Sequence, residues 1–284
     1  MNLKTAFLSF ILFICPCAFC YGQISFLGVN GERGYSALRA SYVWDLDNNF
    51  IFTPSYEFYR QSDAPDVEET GSTYRYGLRG SYDFSDAWRV YAQGYFLPEA
   101  VGNRGVSYFA GARFHPFLRY GIIKDPFVDI RVGQARTRTR VDSAGIWLDE
   151  PYKQIETNIH AQTGTGLGPW DLKAAWHKVI QYNNQVRSGI SFSWADIPYM
   201  TAVVQGFLRS ASALRISYPT ELITPYASAV RYEYAETGRP AVAVSAGLKL
   251  KWGETSFSGG IEVFEPRREE TRKTFFSMSV EVDF

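Results

Sequence analysis

The segment 273–284 constrains the fold of this 284-residue chain more than any other, because polar and apolar side chains alternate along it up to the final residue, Phe284. Successive side chains of a β-strand point to opposite faces. One face carries Thr274, Phe276, Met278, Val280, Val282 and Phe284, and the other carries Phe275, Ser277, Ser279, Glu281 and Asp283. The pattern predicts a strand with one apolar face and one largely polar face.

Similar alternation recurs along the chain in segments of about ten residues, separated by turn residues. We identify sixteen candidate strands: 24–30, 34–45, 50–61, 72–84, 86–97, 105–115, 126–137, 152–164, 168–182, 185–194, 199–209, 212–218, 225–235, 240–252, 255–265 and 273–284. No linker or shift in composition divides 23–284, so we expect a single domain. No apolar run in it is long enough for a membrane helix.

The first 22 residues are typical of a cleaved signal peptide. A short basic stretch ends at Lys4, an apolar run covers 5–19, and the expected cleavage lies between Cys20 and Gln23. The run is too short for a membrane anchor, and Phe19 disfavours lipid attachment at Cys20. All three cysteines, at 15, 17 and 20, precede residue 23, so we expect no disulfide in the exported protein.

Taken together, the alternating strands, the signal peptide and the terminal Phe284 resemble a bacterial outer-membrane β-barrel of the Gram-negative type. The resemblance implies an all-β, transmembrane, antiparallel up-and-down β-barrel with short periplasmic turns and longer outer loops. Our best count is sixteen strands, with twelve or fourteen as alternatives. It also implies residence in the outer membrane, contact with lipid and lipopolysaccharide, and recognition of the last strand by the barrel-assembly machinery. A globular sandwich is the alternative.

Aromatic residues flank the tight turns, as expected for a girdle at the membrane surface, where Trp and Tyr satisfy both an apolar body and a polar edge. The pairs are Trp44 and Phe50, Phe84 and Trp88, Trp194 and Tyr199, Tyr218 and Tyr226, and Trp252 and Phe257.

The polar strand faces are rich in arginine, and these faces would line the lumen of a barrel. A barrel of twelve or more strands is too wide for side chains alone to fill, so we predict a water-filled pore whose arginines attract anions. A dense salt-bridge plug is the alternative. The candidate lumen or solute-binding residues are Arg39, Arg75, Arg79, Arg89, Arg113, Arg131, Glu156 and His177. The same pattern assigns Arg209, Arg215, Arg231, Glu233 and Lys249 to the lumen.

Catalysis and cofactor binding find little support in the sequence. A hairpin at 164–169 could pair His177 with Glu156 and His160 with Lys173, but we expect a polar ladder there rather than an acid–base site. The three histidines are dispersed, so we predict no metal site and no cofactor. The chain has 29 basic and 29 acidic residues, and this balance argues against nucleic acid as a partner.

The longest outer loop, 136–151, carries Ile146, Trp147 and Leu148, which are unusual in a solvated loop. We predict that these three residues fold inward and narrow the pore. The leading functional hypothesis is therefore a passive pore for small hydrophilic, preferentially anionic solutes, or for a saccharide chain. The alternatives are a non-conducting structural, adhesive or docking barrel, and a lipid-modifying enzyme with its site at the barrel rim.

Overall fold

The computed structural model describes residues 22–32, 35–46, 49–61, 71–100, 103–116, 123–139, 152–182, 197–201, 208–234, 240–265 and 273–284. They form fourteen antiparallel strands: β1 (Gly22–Gly31), β2 (Ser36–Leu46), β3 (Phe50–Gln61), β4 (Gly71–Ser85), β5 (Trp88–Ala100), β6 (Asn103–Phe114), β7 (Ile123–Thr139), β8 (Tyr152–Leu167), β9 (Trp170–Gln181), β10 (Leu208–Ser217), β11 (Ile223–Tyr234), β12 (Pro240–Trp252), β13 (Thr255–Glu265) and β14 (Lys273–Asp283).

Each strand pairs with its neighbours in sequence, and β1 pairs with β14, so the sheet closes into a barrel. The last backbone bond of this closure joins the N–H of Phe284 to the carbonyl of Gly22 over 2.9 Å. The described part of the chain contains no helix of the length and apolarity that crossing a membrane requires. The predicted signal peptide, 1–22, lies outside the described residues except for Gly22.

The prediction of an antiparallel up-and-down barrel is confirmed, but sixteen strands is wrong and fourteen, one of the alternatives, is right. Strand β9 pairs directly with β10, with His177 opposite Ala211, so two further strands cannot stand between them. Of the two surplus candidates, 185–194 lies outside the described residues. The other, 199–209, is not a strand over 199–201, and only its last two residues belong to β10.

The connections gather at two ends, which we name the turn end and the loop end. The described residues of the turn end are 49, 86–87, 115–116, 168–169, 218–222 and 253–254, together with Phe284. Gly168 and Gly253 adopt φ of 61° and 60° there, a left-handed conformation that glycine adopts without a steric penalty. The last residue of β9, Gln181, and the first residue of β10, Leu208, both lie at the loop end. The aromatic pair Trp194 and Tyr199, in contrast, was predicted to flank a tight turn.

The outer wall of the barrel is apolar because alternate residues of each strand point away from the lumen. Leu78, Val244, Leu248 and Met278 are each at least half exposed on this wall. The predicted apolar stripe of β14, which includes Met278, is therefore on the outside. Such a face is stable against lipid hydrocarbon rather than water.

Part of the predicted aromatic girdle is present at the turn end. Phe84, Trp88 and Trp252 are exposed beside turns there. Tyr199 and Tyr226 do not belong to the girdle, because both rings lie inside the barrel against Arg215. Tyr226 lies flat on the wall where Gly247 faces Gly260: a Cβ on either glycine would come within 2.8 Å of its hydroxyl oxygen.

A short piece of the β9–β10 connection, residues 197–201, enters the barrel, and we name it the inserted segment. Ile197 and Met200 pack against inward side chains near the loop end. These inward residues are small or apolar and include Ala175, Val179, Leu208, Ala211, Ala213, Val230, Tyr232 and Ala243. The lumen therefore has an apolar sector from β9 to β12, covered by the inserted segment.

Because of this apolar sector, the face of β11 that the sequence predicts to line the lumen is on the outside of the barrel. Val230 and Tyr232 point inward and are almost fully buried, so Arg231 and Glu233, which alternate with them, point outward. Arg209 also lies outside, where it forms an ion pair with Glu233 over 3.0 Å. A register irregularity between Leu208 and Ser210 accompanies the change. The assignment of Arg209, Arg231 and Glu233 to the lumen is wrong.

Candidate functional site

All eight candidate lumen residues lie on inward strand faces. Register pairing places Arg39 opposite Glu57 and Glu57 opposite Arg75. It also places Arg89 opposite Arg113 and Arg113 opposite Asp129. Directly opposed residues share a face of the sheet, so the basic wall continues from β2 to β7. Arg79, Arg131, Glu156 and His177 extend the same inward surface.

Three of these arginines are neutralised by carboxylates. Arg75 donates to both carboxylate oxygens of Glu57, at 3.0 and 2.7 Å, and both residues are buried. Arg113 donates to Asp129 at 2.9 Å, and the hydroxyl of Tyr91 donates to the same carboxylate. Arg89 donates to both carboxylate oxygens of Asp83, at 2.5 and 2.8 Å. Buried charges need such partners, so these pairs form a structural framework.

Four inward arginines form no ion pair with any residue that the structure describes: Arg39, Arg79, Arg131 and Arg215. Arg79 stacks on Tyr91, with its Cζ 3.7 Å from the ring centroid, and Arg131 lies 5.2 Å from the ring of Phe109. The Nε atoms of Arg39 and Arg79 are buried without a hydrogen-bond acceptor. A surplus of positive charge therefore faces the lumen.

The inward acid Glu156 is held by neutral donors. The amides of Gln154 and Asn158 donate to Glu156 at 2.7 and 2.9 Å. Asn158 Oδ1 lies 3.2 Å from Nε2 of His177, whose ring stacks on His160 with centroids 5.7 Å apart. This is a polar ladder, as expected.

The register of that ladder differs from the predicted one. His160 faces His177, and Glu156 faces Gln181, so the predicted pairing of His177 with Glu156 is wrong. The cause is the hairpin turn, which occupies only 168–169, with Leu167 opposite Trp170. A shorter turn moves every cross-strand pair along the strands.

The inserted segment is fixed to the lumen wall by polar contacts as well as by Ile197 and Met200. The backbone N–H and the hydroxyl of Thr201 both donate to one carboxylate oxygen of Glu262, at 2.9 and 3.2 Å. Glu262 is only 1% exposed. Tyr199 has a φ of 62°, a conformation that costs free energy for a bulky side chain. Burial raises the pKa of its phenol above the ordinary value.

Arg215 lies over two aromatic rings, one from the wall and one from the inserted segment. Its Cζ is 4.1 Å from the ring centroid of Tyr226 and 5.8 Å from that of Tyr199. Stacking of this kind holds a guanidinium in place while its N–H donors stay in the plane. The sequence places Arg215 on the inward face, but only the inserted segment reveals this stacking.

Two cavities occupy the lumen beside the inserted segment. The larger, which we name the serine cavity, has a volume of about 400 Å³. Its polar lining includes Ser25, Ser41, Ser55, Ser256, Ser258, Ser277, Ser279, Arg39, Glu57, Thr201, Arg215, Tyr226, Lys249 and Glu281. The smaller, the arginine cavity, has a volume of about 230 Å³ and is lined by Arg79, Tyr91, Arg113, Asp129, Arg131, Asn158, His160, His177, Ile197 and Pro198.

The inserted segment touches both cavities, with Thr201 at the first and Ile197 and Pro198 at the second. The segment therefore narrows the lumen, which the sequence did not indicate, because 199–209 was predicted to be a strand of the barrel wall. The predicted constriction residues Ile146, Trp147 and Leu148 lie outside the described residues.

No model of a known protein family matches the chain, and no curated protein sequence matches it. Among solved structures, CdiB from Acinetobacter baumannii is similar over 93% of this chain and 60% of its own, with a TM-score of 0.54 and 10% identity. This chain therefore spans less than two thirds of CdiB.

Two further structures are similar over nearly their whole length. The Ralstonia pickettii toluene transporter TbuX has a TM-score of 0.52, and the monoaromatic hydrocarbon channel CymD has one of 0.51, each at 10% identity. Each match covers 93% of this chain, with 89% of TbuX and 88% of CymD. At this identity the likeness concerns the fold. With its closed fourteen-strand barrel and apolar outer wall, the chain has the fold of bacterial outer-membrane β-barrel proteins.

Proposed function

We propose that this protein is an outer-membrane channel for small hydrophilic solutes, with a preference for anions, and that its turn end faces the periplasm. The observation that carries the proposal is the set of four lumen arginines without an ion pair among the described residues, Arg39, Arg79, Arg131 and Arg215. A charged wall in a confined lumen raises the local concentration of counter-ions.

The barrel dimensions and the cavities support passage. Barrels of about eight strands are filled by their own side chains, whereas those of about sixteen leave an aqueous channel. Fourteen strands lie nearer the second case, and the two cavities show that side chains leave space in this lumen. The similar structures of CymD, a monoaromatic hydrocarbon channel, and TbuX, a toluene transporter, agree with a transport role for a barrel of this fold.

Planar-bilayer recording of the refolded protein tests the proposal. A salt gradient across the bilayer should give a reversal potential of the sign that anion preference requires. The double variant Arg79→Gln with Arg131→Gln should reduce that preference, whereas the outward Arg209→Gln should not. Folded protein that conducts with cation preference, or that does not conduct, would contradict the proposal.

The second candidate is a non-conducting barrel, and the inserted segment is the observation that favours it. Ile197 and Met200 bring apolar contacts into the lumen, and Glu262 fixes the segment. If the segment closes the lumen, wild-type protein will be silent while Glu262→Ala conducts. Silence in both proteins, each shown to be folded, would favour a structural or docking role.

A further inference from the structure

The serine cavity combines features that general permeation of small solutes does not require. Seven serine side chains and the cations Arg39, Arg215 and Lys249 line a space of about 400 Å³. This volume lies within the range of roughly 300–1,000 Å³ that is typical of small-molecule sites. We propose that this cavity is a specific binding site for a small polyhydroxylated anion, such as a sugar carboxylate or a sugar phosphate. The inference rests on the proposed channel function, because the lumen is the route by which such a solute would arrive.

Arg215 is the group that would hold the negative charge. Its Cζ lies 4.1 Å from the ring centroid of Tyr226 and 5.8 Å from that of Tyr199, and no carboxylate of the described residues pairs with it. A stacked guanidinium is already ordered, so less conformational entropy is lost when it binds a carboxylate or phosphate through two parallel N–H donors. Arg39, whose Nε is buried and unpaired, faces the same cavity from β2.

The serines supply partners for ligand hydroxyl groups. Ser25 and Ser41 lie 2.7 Å apart, and Ser258 and Ser279 lie 2.6 Å apart, each pair joined by one hydrogen bond. A hydroxyl has one donor and two acceptor lone pairs, so each pair keeps unused capacity toward the cavity. Glu57 and Glu281, the two carboxylates in the described lining of the cavity, are both ion-paired. The nearby Glu262 carboxylate accepts two hydrogen bonds from Thr201, so these groups repel an anion less than free carboxylates would.

The inserted segment makes this site different from a uniform pore wall. The ring centroid of Tyr199 lies 5.8 Å from Cζ of Arg215, and Thr201 lines the cavity while its N–H and hydroxyl donate to Glu262. The site therefore depends on two separate elements, the barrel wall and a piece of the β9–β10 connection. A ligand at Arg215 would stabilise the segment in its inserted position.

Isothermal titration calorimetry on the folded, detergent-solubilised protein tests this site with gluconate, glucose 6-phosphate and glucose as probes. We expect saturable binding of gluconate or glucose 6-phosphate and none of glucose. Arg215→Gln should weaken that binding by at least about tenfold, because a charge-assisted bidentate contact is lost. Tyr226→Phe should retain most of the affinity, whereas Tyr226→Leu should lose several-fold. Arg209→Gln, on the outer surface, is the matched control.

The outcomes separate the site from the channel. If neither anion binds to folded wild-type protein, or if Arg215→Gln binds as tightly as wild type, the site is overturned even where bilayer recordings show an anion-selective pore. If the anions bind in the expected manner but no variant conducts, the channel is overturned and the binding site stands. Equal binding of glucose and gluconate would also overturn the assignment of Arg215.

Discussion

Thr201 and Glu262 are joined by two hydrogen bonds that converge on one carboxylate oxygen, at 2.9 Å from the backbone nitrogen and 3.2 Å from the hydroxyl. This contact links the inserted segment to β13 across the lumen. We predict that Glu262→Ala frees the segment, since each charge-assisted hydrogen bond contributes about 1.5–3 kcal/mol. Single-channel recordings should show larger currents or new gating steps.

Two further variants sharpen that experiment. Glu262→Gln retains an acceptor and should have a smaller effect. Glu281→Ala removes an inward acid that binds Lys249 rather than the segment, so gating should stay as in wild type. Identical recordings from Glu262→Ala and wild-type protein would show that the contact does not restrain the segment.

The Glu57–Arg75 pair should dominate the stability of the basic wall. The two side chains are 12% and 10% exposed, so Glu57→Gln leaves a buried guanidinium without its counter-charge, at a cost of about 3–5 kcal/mol. The half-exposed Glu281–Lys249 pair should contribute no more than about 1 kcal/mol. Urea unfolding in lipid vesicles measures both, and equal losses for Glu57→Gln and Glu281→Gln would contradict the prediction.

The prediction that one face of β14 contacts lipid can be tested by substituting two neighbouring residues. Met278 is 76% exposed at the centre of the strand, whereas Ser279 faces the serine cavity. Met278→Lys should cost about 2–4 kcal/mol, as cations do at the bilayer midplane, and Ser279→Lys should cost much less. The folded fraction in vesicles, read from electrophoretic mobility without boiling, measures the difference.

The wall beneath Tyr226 predicts a steric effect. A Cβ at position 247 would lie 2.3 Å from the carbonyl oxygen of Gly259 and 2.6 Å from the Tyr226 hydroxyl, and the backbone atom cannot yield. Gly247→Ala should therefore destabilise the barrel and displace the ring that supports Arg215. At Gly28 the nearest atom is 4.0 Å away, so Gly28→Ala should be tolerated. Equal unfolding midpoints for the two variants would contradict this.

Side-chain alternation was sufficient to predict the barrel and most of its inward face. The alternation of Arg75 and Arg79 with exposed Leu78 gave the correct orientation of β4, and the polar and apolar faces of β14 were equally clear. Alternation reports only which residues share a face. It does not distinguish apolar residues that contact lipid from apolar residues that contact another part of the chain.

That ambiguity explains the main errors. The pattern of 199–209 predicts a single strand of the wall, but Met200 lies in the inserted segment and Leu208, with no exposed surface, points into the lumen. The apolar sector requires Val230 and Tyr232 to point inward, and this forces Arg231 outside. The stacking of Arg215 depends on residues 16 positions before and 11 positions after it, so no local pattern could reveal it.

The pairing of β1 with β14 has a consequence for how the barrel is made. Gln23 binds Asp283 across a separation of 260 residues, and the edges of both strands stay open until that seam forms. Contacts between distant parts of a chain form slowly, and open strand edges favour aggregation. Because synthesis runs from the amino terminus, β1 is made before β14. One edge of β1 therefore stays unpaired until β14 is available, and it must be kept from pairing with other strands during that time.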